Sequence, residues 1–225
     1  MTELPDAVRA VHGPYRAVFE LMFNGLGVEL VDLPVHEGDT PSSLRDADAW
    51  IVTGSPASVF DDLGWIRTAE ELVREAVRIE APLVGICFGH QLVAQALGGC
   101  VERSAGGWAL GAKVYDTVEP LPWFPEGNSR STILAAHQDQ VVRAPTDADV
   151  WSTSSYCPIA GMTIGDRMWT LQGHPDFTPA MVAALGESER DHYGGGVVDQ
   201  AIASLDQPLS NADVARAIIR FIGTP

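Results

Sequence analysis

The sequence predicts an α/β fold, a mostly parallel central sheet with helices on both faces, and three stretches of chain carry that prediction. Leu83–Ile86 is a short apolar run that meets Cys87 and passes directly into Leu92, Val93, Ala96 and Leu97 at helical spacing, up to a Gly98-Gly99 stop. Upstream, the apolar run Trp50-Ile51-Val52-Thr53 breaks at Gly54-Ser55-Pro56 and is followed by an amphipathic pattern over residues 65–80. Near the C-terminus, a strand over residues 168–172 stops at Gly173-His174-Pro175-Asp176 before a further helix. Alternating strand and helix implies parallel pairing, with functional loops at the carboxyl ends of the strands.

The elements follow in order. Residues 15–26 alternate at helical spacing until Gly27, and residues 28–33 form a short strand candidate. In the helix over 65–80, Ile66, Ala69, Leu72, Val73, Ala76 and Val77 point inward. After Gly99 the segments shorten, and runs at 112–115, 131–135, 150–154 and 159–164 predict a small strand-rich region. Thr178 caps a helix that starts at Pro179 and runs to about Ser188. Gly194-Gly195-Gly196 marks a flexible break, and a closing helix spans Asn211–Ile222. No repeat, low-complexity tract or linker divides the 225 residues, so one domain over 1–225 is expected.

Composition narrows the function. With 14 Lys plus Arg against 30 Asp plus Glu, the net charge of −16 disfavours nucleic-acid phosphates and anionic membranes. Cys87, Cys100 and Cys157 are an odd, widely spaced set that suits reduced thiols in a cytoplasm. Residues 1–11 lack the basic and apolar runs of a secretory signal, and no segment has membrane-spanning length. The histidines show no metal-ligand spacing, so no metal and no cofactor are expected.

Cys87 is the centre of the functional reading. Gly85 and Gly89 flank it at a two-residue spacing, which spares a crowded strand-to-helix turn two side chains, as at a nucleophile elbow. The helix N-terminus that follows favours a thiolate over a thiol. The alternative is a small buried apolar residue, the ordinary habit of a free cysteine. A thiolate nucleophile needs a proton carrier and an orienter, and His174 and Asp176 at a strand end fit those roles.

Four motifs in order, Thr-Gly-Ser-Pro-Ala-Ser-Val at 53–59, Gly-Ile-Cys-Phe-Gly-His-Gln at 85–91, His-Gln-Asp-Gln-Val at 137–141 and Gln-Gly-His-Pro-Asp-Phe at 172–177, resemble those of class I, triad-type glutamine amidotransferases. The likeness covers most of the chain and is nearest to stand-alone members similar to the amidotransferase domain of GMP synthetase and to γ-glutamyl peptidases. It implies a flavodoxin-like α/β domain in which Cys87 attacks the γ-carboxamide of glutamine. It further implies that His174 carries the proton, Asp176 holds its imidazole, and the backbone N–H groups of Gly54 and Phe88 form the oxyanion hole. Gln91, Ser55, the segment from Trp108 to Gly111, and His137 would line the substrate site, with His90 and His137 shaping the pocket rather than reacting. For Gln91 the alternative is a helix-surface amide. The implied partners are glutamine or a γ-glutamyl substrate and a separate ATP-dependent synthetase, since no nucleotide-binding loop occurs in the chain. A γ-glutamyl hydrolase or peptidase acting alone, and a non-catalytic binding module, are the competing readings.

Two positions depart from the resemblance. Asp176 stands where the family usually has Glu, so the shorter acid must approach by a backbone shift or act through water. The apolar first strand of the family is absent, because residues 1–9 hold no four-residue apolar run. Either the start is truncated, another strand substitutes, or the sheet has lost a member and exposes unpaired edges.

Overall fold

A computed structural model describes residues 4–124 and 129–223. The described residues form a seven-stranded mixed sheet in the order β1-β2-β9-β8-β7-β4-β5 and a separate two-stranded ribbon, β3-β6. The strands are β1 Trp50–Val52, β2 Leu83–Ile86, β3 Cys100–Arg103, β4 Ala109–Thr117, β5 Arg130–His137, β6 Asp139–Arg143, β7 Ala148–Thr153, β8 Gly161–Ile164 and β9 Met168–Leu171. The helices are α1 Asp6–His12, α2 Tyr15–Met22, α3 Gly64–Arg78, α4 Phe88–Ala96, α5 Pro179–Ser188, α6 Arg190–Tyr193, α7 Gly195–Ala203 and α8 Asn211–Ile222.

The α/β class and the helices on both faces agree with the sequence, but the expectation of a mostly parallel sheet is corrected. Parallel pairing is confined to β1-β2 and β2-β9, and every other neighbouring pair in the large sheet is antiparallel. For β8 and β9 the reason is connection length: β8 returns as β9 through residues 165–167, with Gly165 at φ 54°, and so short a link cannot join parallel strands. The strand-rich region after α4 is therefore no separate appendage. Four of its strands, β4, β5, β7 and β8, extend the central sheet.

Each face of the sheet closes a core. On one side α3 and α4 bury Ile66, Val73, Ala76, Leu92 and Val93 against Leu83, Met162 and Met168, and Val101 and Val141 of the ribbon join them. On the other, α2, α5, α7 and α8 pack Val18, Phe19, Met181, Val198, Ile218 and Phe221 against Ile86, Leu134, Trp169 and Leu171. Strands β2 and β9 are buried at every residue, as an apolar run covered on both faces should be. Val77, expected inward, is 40 % exposed because it falls off the buried stripe of α3.

The predicted strand at 28–33 does not form. Those residues are irregular and Val31 is 84 % exposed, since no strand among the described residues lies beside them to accept their backbone hydrogen bonds. No strand precedes β1 among the described residues, and β1 is left as a three-residue sheet edge. The glycine run at 194–196 is not a loose break: Gly194 at φ 88° ends α6, and Gly195 opens α7, which docks on β4.

Candidate functional site

Three loops meet at the carboxyl ends of the three parallel-paired strands. Gly54 follows β1, Cys87 follows β2 and His174 follows β9 closely. Ligands in α/β sheets bind at such strand ends, so the small parallel part of this sheet is what places the candidate site.

Cys87 adopts φ 53° and ψ −102°, a conformation that L-residues other than glycine seldom take and that marks a strained strand-to-helix elbow. The flanking glycines make it attainable. A Cβ on Gly85 would stand 2.7 Å from the Gly89 carbonyl oxygen, and one on Gly89 would run into the Val52 carbonyl. The Phe88 N–H is the first of α4 and so has no acceptor within the helix, while the Phe88 ring packs on Trp65 at 5.4 Å.

His174 is fixed from several sides. Its backbone N–H donates to the Leu134 carbonyl of β5 at 2.7 Å, and its Nδ1–H donates to Asp176 Oδ1 at 3.2 Å. The acid therefore reaches the imidazole directly, through the turn at residues 175–176, and no intervening water is needed. A Cβ on Gly54 would lie 2.6 Å from His174 Cε1, so the ring occupies the space that a side chain at 54 would need. Burial opposes the charged imidazole, but the charges of Cys87 and Asp176 outweigh it and raise the His174 pKa to about 10. An imidazolium beside the Cys87 sulfur follows at neutral pH. Cys157 gives the contrast, since burial and the nearby charge of Cys87 push its thiol up to about 12.

Gln91 is buried rather than a surface amide. Its Nε2 donates to the Asp139 carbonyl at 2.8 Å and to Gln172 Oε1 at 3.2 Å. Gln172 in turn donates to Cys87 Sγ at 3.6 Å. His137 donates from Nδ1 to the same Asp139 carbonyl at 3.0 Å, which leaves its buried Nε2 as an acceptor without a partner among the described residues. Burial lowers the His137 pKa to about 4, so the ring is neutral. His90 is likewise held neutral, at about 4, with Nε2–H on the Ile159 carbonyl and Nδ1 facing Thr170 Oγ1.

Cys87, His174, Ser55, Gln91, Trp108 and His137 line one cleft of about 450 Å³. The Trp108 ring meets Tyr193 and His192 of α6 edge-on, at 4.7 and 5.1 Å, and makes an aromatic wall. Gly111 does not belong there. It lies within β4 at φ 90°, and a Cβ on it would come 2.7 Å from Ala201 Cα, so it serves the contact with α7 and does not line the cleft.

Two residues beside the candidate triad give no sign in the sequence of the contacts they make. Gln172 lies within a motif but has no chemical signal of its own. Tyr15 reads as the start of an amphipathic helix, yet its hydroxyl donates to Asp176 Oδ2 at 2.9 Å, a partner 161 residues away.

The family described as Glutamine amidotransferase class-I matches residues 15–182. The chain belongs to this family. Among the amidotransferase-like relatives, γ-glutamyl peptidase 3 of Arabidopsis thaliana is 29% identical over 180 residues, 76% of this chain and 72% of that protein. A glutamine-hydrolysing GMP synthase subunit of Halobacterium salinarum is 29% identical over 168 residues, 73% of this chain and 85% of that protein. The crystal structure of a glutamine amidotransferase from Thermotoga maritima has a TM-score of 0.74 at 20% identity, covering 91% of this chain and 89% of the other, and shows that the amidotransferase fold is shared. Among the described residues no helix is long and apolar enough to cross a membrane, and no group of three or more His, Cys, Asp or Glu side chains could hold a metal ion.

Proposed function

We propose that this amidotransferase-family protein hydrolyses the γ-amide of glutamine through a thioester on Cys87, releasing glutamate and an ammonia that a separate ATP-dependent synthetase consumes. The convergence of Cys87, His174 and Asp176 at adjacent strand ends carries this reading. The Cys87 thiolate attacks the γ-carbonyl carbon, and the N–H groups of Gly54 and Phe88 receive the oxyanion, each worth about 3 kcal/mol in such a site. The imidazolium of His174 gives its proton to the departing nitrogen as the C–N bond breaks. Neutral His174 then takes a proton from water, which attacks the thioester, and the C–S bond breaks to return the thiolate. Asp176 holds the imidazole with Nδ1 protonated and Nε2 toward the sulfur.

Ser55, Gln91, Trp108 and His137 would grip the glutamyl portion. The unpartnered His137 Nε2 supports this, because a buried acceptor of that kind is satisfied by a donor on the bound substrate.

A second reading is hydrolysis of γ-glutamyl peptides by the protein alone. The size of the cleft and the wall of Trp108, His192 and Tyr193 favour it, since glutamine sheds only ammonia and needs no apolar surface for its leaving group. Offering purified protein glutamine and a set of γ-glutamyl peptides, beside a Cys87→Ala control, separates the two. Ammonia release from glutamine that depends on Cys87 supports the first. Strong peptide cleavage with negligible ammonia release from glutamine supports the second, and turnover undiminished in Cys87→Ala would remove both.

A further inference from the structure

We propose that Tyr15 is a positioning residue that clamps Asp176 so that one chosen carboxylate oxygen faces His174; the inference rests on the amide-hydrolase reading above. The first residue of α2, Tyr15 is buried, and its hydroxyl donates to Asp176 Oδ2 at 2.9 Å while Oδ1 accepts from His174 Nδ1 at 3.2 Å. Each oxygen of the carboxylate thus has its own donor, and the group is held at both ends of its O–C–O axis. The Tyr15 ring is packed in turn, edge-on against Phe19 at 5.4 Å and tilted against Phe177 at 6.5 Å.

The clamp has a physical task in this chain. An aspartate is one methylene shorter than a glutamate, so it reaches the imidazole only if its backbone comes close, and a short side chain has few alternative ways to keep contact once it rotates. Bonded to His174 alone, the carboxylate could turn about its Cβ–Cγ bond and offer the imidazole either oxygen or neither. The tyrosine removes that freedom. Its hydroxyl cannot leave as a charged group, because burial and the neighbouring Asp176 raise its pKa well above the ordinary tyrosine value, so it remains a donor throughout the working range. The same oxygen stands 3.1 Å from where a Cβ of Gly54 would be, so the clamp also closes the small space between the acid and the β1 end. Besides Asp176, the charge of Cys87 acts on the hydroxyl and the Gly54 backbone N–H hydrogen-bonds to it, and the charged or titratable groups around His174 itself are Cys87, Asp176 and His137.

The test is Tyr15→Phe, which keeps the ring and removes one oxygen, assayed on glutamine and γ-glutamyl peptides and compared with Asp176→Ala and the double variant. The expected result is a 10- to 100-fold loss in kcat with KM changed less than two-fold, and no further loss when Tyr15→Phe is added to Asp176→Ala, because the role assigned to the hydroxyl runs through the carboxylate; a further loss in the double variant would place its effect on the Gly54 N–H and overturn the clamp. A purely structural tyrosine would instead lower Tm and multiply its effect on that of Asp176→Ala, which would overturn the proposal. NMR titration of His174 gives a readout that needs no turnover: an unclamped carboxylate leaves Nδ1 part of the time, so the midpoint falls in Tyr15→Phe. A midpoint that rises or stays unchanged would overturn the clamp even in a protein with no activity. Inactivity of the wild type on all substrates would count against the hydrolase reading and leave this titration to decide the role of Tyr15.

Discussion

The Phe177 ring lies stacked on the His174 imidazole, centroids 3.9 Å apart and planes 13° from parallel. The imidazole is therefore held in its plane by Asp176 and on its face by Phe177, with a face of the aromatic ring toward a group that is cationic at neutral pH. Such a stacked pair contributes about 1 kcal/mol beyond the area it buries. Phe177→Leu is expected to lower kcat for amide hydrolysis about five-fold, with KM little changed; a rate equal to wild type would show that Asp176 orients the ring unaided.

Gly54 and His174 compete for one volume. Because β1 is fixed by its pairing with β2 and His174 by its bond to Leu134, the 2.6 Å approach of a Cβ in Gly54→Ala to Cε1 must displace the imidazole. A misplacement approaching 1 Å costs on the order of 100-fold in rate, and steady-state kinetics should show a loss of that size. Gly196→Ala is the control, since its Cβ meets open space within α7: activity should be unchanged and stability should rise by about 0.5–1 kcal/mol in urea melts.

Two neutral imidazoles set the acid limit of the fold. His90 and His137 titrate at about 4 when folded, whereas an unfolded histidine titrates near 6.5, so between those values the unfolded chain binds more protons. Their contribution is present above pH 6.5 and is lost as the pH falls toward 4, about 3 kcal/mol for each ring. Urea midpoints measured from pH 7 to pH 4 should fall accordingly. The slope should flatten in His90→Gln, and an unchanged slope would show that His90 takes up its proton without unfolding.

His174 behaves in the opposite sense. Its folded value of about 10 exceeds the unfolded one, so its contribution is complete below pH 6.5 and disappears as the pH rises through about 10. Cys87→Ala removes the largest of the effects that raise it, and the NMR midpoint of His174 should fall in that variant. A midpoint that remains near 10 would place the cause in Asp176 alone.

The parts of the molecule legible in the sequence are those with local signals. The elbow at Cys87, the stripe of α3, the Thr178 cap with Met181 N–H and Pro179 in the first turn, and the strand ending before His174 all declare themselves within a few residues. What stays hidden depends on distant partners. α7 begins with two glycines and forms because Val198 and Ala201 bury against β4 and its neighbours, which local propensity cannot reveal. The segment at 28–33 has a strand's composition but, among the described residues, no strand beside it to pair with. Tyr15 and Gln172 look like a helix start and a strand end, and only the folded chain brings one to Asp176 and the other to Cys87. The seven-strand sheet reads as parallel in sequence because β1, β2 and β9, which carry the candidate site, are each followed by a helix.

The central claim, that Cys87 forms a covalent thioester with a γ-glutamyl group under the control of His174, is tested most directly by mixing the protein with excess glutamine or γ-glutamyl peptide, quenching in acid and measuring intact and peptide masses. The expected result is a glutamyl adduct on the peptide that carries Cys87, absent in Cys87→Ala and accumulating in Asp176→Asn if deacylation is slowed more than acylation. Substrate turnover with no adduct in any variant, and with the rate undiminished in Cys87→Ala, would contradict it.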